Sequence, residues 1–130
     1  FNALGDEDGK SLYVIGNKLY LGRMDGSGSN PDSPEFHIIN ISNPATPATS
    51  SSMYLNADVN AILVNGSLAF LGTDYSTKEF KVLNVGSSTS PSLRGDYQFS
   101  AVMVGEDYEN NYIYAAVRSN ADLHIIKSKP

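Results

Sequence analysis

The chain has 130 residues, 41% of them hydrophobic, with no cysteine, no tryptophan, and 14 acidic against 9 basic side chains for a net charge of −5 at pH 7. That length supports one domain with a real core. The acid excess argues against general affinity for nucleic acid or anionic membranes, and the lack of cysteine excludes disulfides, thiolate chemistry and cysteine-based zinc sites.

No apolar run approaches the ~20 residues of a membrane-spanning helix, and no charged-then-apolar leader opens the sequence. Because Phe1 stands where a methionine would, a processed or excerpted chain is expected.

In chain order, the first feature is Asp6-Glu7-Asp8-Gly9, an oxygen-rich run whose Asp6 and Asp8 are candidate ligands for Ca²⁺. Short runs rich in β-branched and aromatic residues then predict strands at 11–15 and 18–23, turning at Asn17-Lys18. A long polar loop, Arg23–Glu35, carries Asp25 and Asp32. Strands at 35–41 and 49–55 follow, separated by the breakers Asn43-Pro44 and Pro47. The same order returns at 60–64, 67–73, 79–85 and 92–99, with a turn at Asn65-Gly66. A third round reads 101–105, 111–118 and 122–127, leaving Glu106, Asp107 and Glu109 in a solvated acidic loop.

The internal repeat decides the expected fold. Glu35-Phe36-His37-Ile38-Ile39-Asn40-Ile41 matches Glu79-Phe80-Lys81-Val82-Leu83-Asn84-Val85, and both match Asp122-Leu123-His124-Ile125-Ile126-Lys127-Ser128. Thr46-Pro47 pairs with Ser90-Pro91, and Leu19–Gly22 pairs with Ala69–Gly72 and Ile113–Ala116. In the third strand Phe36 and Ile38 point one way and Ile39 and Ile41 the other, so both faces need covering. Four strands in a unit of ~40–50 residues is the propeller pattern. The expectation is an all-β chain: a β-propeller arc of about three four-stranded antiparallel blades, the last incomplete, forming a single repeat domain over 1–130. Blade limits fall near 1–54, 55–98 and 99–130. Such an arc leaves open edges for further blades or for copies of the same chain.

The run Asn17–Gly22 followed by Phe36-His37-Ile38-Ile39-Asn40-Ile41-Ser42-Asn43-Pro44-Ala45-Thr46-Pro47 resembles the LVIVD-type repeat of bacterial and archaeal β-propeller surface proteins. The second unit matches through Asn65–Gly72, Phe80–Val85, Ser90–Gly95 and Tyr97, although Gly86-Ser87-Ser88 replaces the Ser-Asn-Pro turn. The resemblance implies an extracellular or cell-surface location and a non-enzymatic role, and it carries no catalytic residues.

No catalytic constellation is expected. His37 and His124 are repeat-equivalent in non-adjacent blades, with Lys81 at that place between them, so they do not converge on one substrate atom. Gly26–Ser29 lacks the ending and the following helix of a phosphate loop. Asn40-Ile41-Ser42 and Asn65-Gly66-Ser67 fit the glycosylation pattern as chance matches, the first on a strand expected to be buried. In an up-and-down blade, the loops between strands two and three leave from the same end as the connections between blades. That end gathers Arg23, Asp25, Asp32, Asp58, Asp74, Tyr75, Lys78 and Arg118, the expected binding face for a protein or glycan partner. The leading expectation is an extracellular adhesion or binding module. The alternatives are a structural subunit of an extracellular assembly or pilus-like filament and, third, a propeller-based hydrolase or lyase.

Overall fold

A computed structural model describes residues 1–3, 7–26, 33–119 and 122–127. Eleven strands and no helices occur among the described residues. Sheet 1 contains β1 (Gly9–Ile15), β2 (Lys18–Arg23), β3 (Phe36–Asn40) and β4 (Ala48–Met53). Sheet 2 contains β5 (Val59–Asn65), β6 (Leu68–Thr73), β7 (Phe80–Asn84) and β8 (Ser92–Tyr97). Sheet 3 contains β9 (Met103–Glu109), β10 (Tyr112–Val117) and β11 (Leu123–Lys127). Every pairing is antiparallel between neighbours in sequence, and none of the sheets closes on itself.

Residues aligned in sequence hold matching ladder positions: Gly22 pairs with Phe36, Gly72 with Phe80, and Ala116 with Leu123. Irregularities recur as well. The first strand of each sheet carries a bulge, at Lys10, Asn60 and Val104, and the fourth strands of sheets 1 and 2 skip at Ser50 and Arg94. A bulge adds one residue to one strand, so side chains on either side of it three apart face the same way.

The hairpin corners lie one residue from their expected places. Gly16 and Gly66 take positive φ, 58° and 60°, at the first corner position, the arrangement of a type II′ turn. The turns are therefore Gly16-Asn17 and Gly66-Ser67, and Asn65 is the last residue of its strand. The third corner is Asn110-Asn111, both with positive φ (52° and 67°), which matches type I′. Asparagine tolerates that region where most side chains do not. The segment from Glu106 to Glu109, expected as a loop, is strand: β9 runs through it and pairs with β10 from Tyr112 to Val117.

Sheet 2 is covered on both sides. Ile62, Val64, Leu71 and Leu83 join Tyr20, Phe36 and Ile38 of sheet 1 in one core cluster. Their strand neighbours Leu63, Phe70 and Phe80 join Met103, Ile113, Ala115 and Val117 of sheet 3 in a second. The alternation of a strand sends successive residues to opposite faces, and here both faces are apolar. The second seam is rich in rings, with Phe70 stacked between Phe80 and Tyr108 at centroid distances of 6.1 and 6.0 Å.

Candidate functional site

The connections at the ends of β2 and β6 and the start of β5 bring several of the sequence candidates together. The Asp25 amide donates to Asp58 Oδ1 (2.7 Å), and the Asp58 amide donates to Asp74 Oδ1 (2.8 Å). This relay runs from sheet 1 to sheet 2. Lys10 Nζ holds the other Asp58 oxygen at 2.5 Å. Burial first, then the negative charges of Asp58 and Asp74, hold the Asp25 carboxyl above the ordinary carboxylate range. Backbone amides thus orient the Asp58 and Asp74 carboxylates, whereas the Asp25 carboxyl meets the Glu35 side chain.

Tyr75 is exposed, and the Lys81 ammonium sits 4.5 Å from its ring centroid. Burial lowers the Lys81 pKa from its usual value. Lys78 pairs with Asp96 at 2.9 Å, which raises its pKa. Arg118 is exposed at the end of β10, on the same rim but in sheet 3.

Arg23 lies beneath this face and not on it: it is 3% exposed, its Nη2 meets Glu7 Oε2 at 3.2 Å, and the same guanidinium donates to the Glu7 carbonyl at 2.8 Å. His37 is buried beside it, with Nε2 2.8 Å from the Pro34 carbonyl and 3.4 Å from Arg23 Nη1. Burial pushes the His37 pKa down, and the neighbouring guanidinium adds to that, which favours the neutral ring. His124 instead packs its ring on Phe99 at 4.6 Å in the other seam. The two histidines serve separate sheets.

Asp32 and Asp6 lie outside the described residues. Asp8 is exposed, and its carbonyl accepts the Met24 amide at 2.9 Å. Among the described residues no group of three or more His, Asp or Glu side chains is arranged to hold a metal ion. Asn40 is exposed at the end of β3, contrary to its expected burial, and its Oδ1 takes the Ser42 amide at 2.9 Å.

Two features escaped the sequence reading. Glu35 and Glu79 are buried latches: Glu35 Oε2 accepts the amides of Leu55 (2.6 Å) and Asn56 (3.2 Å), and Glu79 Oε2 accepts that of Phe99 (2.8 Å). Each carboxylate at the entry to a third strand pins the link into the next sheet. Their shared spacing, one residue before Phe36 and Phe80, was the available signal.

The second feature is Glu106. It is not a solvated loop residue: both its carboxylate oxygens are buried without a hydrogen bond of good geometry. Burial drives its pKa well above the ordinary value, and the neighbouring Leu63 backbone offsets only part of that effect. Tyr13, Leu63, Val64, Asn65, Asp107 and Tyr108 line a polar cleft of about 180 Å³.

No protein-family profile matches the chain, and no curated protein does. Solved structures do. The computationally designed Ika4 protein matches over 94% of this chain and 67% of its own, at a TM-score of 0.69 and 12% identity. The computationally designed Ika8 protein matches over 92% of this chain with a TM-score of 0.69 and 13% identity, and the present chain spans 33% of it. At such identities the likeness concerns the fold alone.

Proposed function

We propose that the three sheets are blades of a β-propeller arc and that the chain is a non-enzymatic module of the cell surface that binds a protein or glycan through the Asp25–Asp58–Asp74 rim. The arc reading is supported by the two cores on opposite faces of sheet 2 and by the succession of inner strands β1, β5 and β9 against one another. The observation that carries the binding reading is the amide-to-carboxylate relay across the two sheets, which fixes the Asp58 and Asp74 carboxylates near Asp25 and the exposed Tyr75 ring. Preorganised acceptors lose little freedom on binding. Carboxylates accept hydrogen bonds from sugar hydroxyls or from Lys and Arg side chains, and a tyrosine ring offers an apolar platform to either.

The test is retention on arrays of immobilised glycans and of Lys/Arg-rich peptides. The combined variant Asp25→Asn, Asp74→Asn, Tyr75→Ala keeps an amide oxygen for the Asp58 amide, so its melting temperature should stay unchanged while retention falls. Unaltered retention would refute the rim as the binding face. Turnover of ester or glycoside reporters that copurifies with the protein would refute the non-enzymatic role.

A further inference from the structure

The two seams inside the molecule are built to one plan. One half of each comes from the trailing face of a sheet: Phe36, Ile38 and Tyr20 in the first seam, Phe80, Val82 and Phe70 in the second. The other half comes from the leading face of the next sheet: Ile62, Val64 and Leu71, then Tyr108, Ile113 and Ala115. Each seam also has a wedge over a notch. Val59 lies over Gly22, where an added Cβ would fall 2.6 Å from Val59 Cγ1. Met103 lies over Gly72, where a Cβ would fall 2.9 Å from Met103 Cγ.

Sheets 3 and 1 each present one uncovered half. On the trailing face of sheet 3, Leu123 and Ile125 are 59% and 57% exposed, whereas Phe36 and Ile38, at the same ladder positions of sheet 1, are 0% exposed. On the leading face of sheet 1, Leu12 and Val14 are 64% and 49% exposed, against 8% and 4% for their counterparts Ile62 and Val64. Phe1-Asn2-Ala3 repeats Leu55-Asn56-Ala57 and Phe99-Ser100-Ala101. Leu55 and Phe99 are buried in their seams, while Phe1 is 64% exposed.

The wedge and notch select the occupant. The notch position on sheet 3 is Ala116, not glycine. A wedge of the size of Val59 or Met103 would collide with its Cβ, as the distances at Gly22 and Gly72 require. The wedge position on sheet 1 is Gly9. At this one boundary the small residue has moved from the notch to the wedge, so only a leading face like that of sheet 1 fits the trailing face of sheet 3. We infer that sheet 1 of a second copy of this chain docks on sheet 3, head to tail, and continues the two internal seams across a third. The two patches differ, so the interface is heterologous: it closes a ring if the rotation allows and otherwise grows an open chain. The inference rests on the arc reading but not on the binding rim.

Sedimentation velocity of the whole chain, from micromolar to near-millimolar concentration, tests it. The wild type should associate as concentration rises. Leu12→Glu spoils only the leading face and Ile125→Glu only the trailing face. Both positions are exposed in the single chain, so both variants should melt like the wild type, and each alone should stay monomeric. Mixed in equal amounts, they should form dimers and nothing larger, because one intact leading face meets one intact trailing face. A wild type that stays monomeric throughout overturns the inference, as do single variants that self-associate or a mixture that stays monomeric. The rim variant Asp25→Asn, Asp74→Asn, Tyr75→Ala should assemble as the wild type does. Loss of array binding with assembly intact, or the reverse, assigns failure to one reading and spares the other.

Discussion

Replacing Gly22 with alanine places a methyl group 2.6 Å from Val59 Cγ1 and 2.8 Å from Val59 Cβ, and against Ser11 Oγ. The hydroxyl can rotate away only by giving up its bond to the Val59 carbonyl (2.7 Å). The valine cannot yield easily, because it is 0% exposed and packed in the first core. Overpacking of this kind costs about 1–3 kcal/mol. Gly22 has an ordinary negative φ, so alanine returns roughly 0.4–1 kcal/mol by restricting the unfolded chain. A net loss of about 1–2 kcal/mol is expected, a fall in Tm of roughly 4–8 °C for a chain of this size. Val59→Ala alone should cost about 2 kcal/mol from lost burial and the space left behind. In the double variant the clash with Cγ1 is gone while those with the Cβ at position 59 and with Ser11 Oγ remain, so the double should lose less than the sum of the two single losses but stay below Val59→Ala alone. Urea denaturation of the four proteins, with m held constant as a check, gives that coupling. Simple additivity, or a neutral Gly22→Ala, would refute the wedge-and-notch account of the seams.

Glu106→Gln removes a buried titratable carboxyl. Because the folded state holds the Glu106 proton more tightly than the unfolded state, wild-type stability should fall as pH rises above the ordinary glutamate range. Urea midpoints should therefore show the variant gaining on the wild type between pH 4 and pH 8; parallel pH profiles would contradict this. Glu79→Gln replaces a charged acceptor of the Phe99 amide with a neutral one and should cost about 1 kcal/mol, with faster hydrogen exchange at that amide as its local signature. Asn110→Ala forces a poorly tolerated residue to a φ of 52° and should cost about 1 kcal/mol, whereas Asn110→Gly should be neutral or mildly stabilising by thermal melting.

The strand windows were legible because their cause is local. Alternating apolar runs, Pro and Gly breakers and the recurrence of Phe36 at Phe80 and Leu123 are properties of short stretches of chain, and the ladders pair as that alignment requires. The acidic rim was legible in part: Asp25, Asp58 and Asp74 meet through backbone amides, while Arg23 is withdrawn beneath them to meet Glu7. A charged side chain next to a loop is indistinguishable in sequence from one that turns inward to an ion pair.

The side a residue faces was decided only by the tertiary structure. Read by strict alternation, Met103 and Glu106 belong on opposite faces; the bulge at Val104 inserts one residue, and both turn toward sheet 2. Composition fixes that these segments extend and pair, because backbone preference is set residue by residue. Which carboxylates become latches, which one is buried without a well-formed hydrogen bond, and which glycine receives a neighbour's wedge depend on a one-residue offset in the ladder and on the sheet that lies across it.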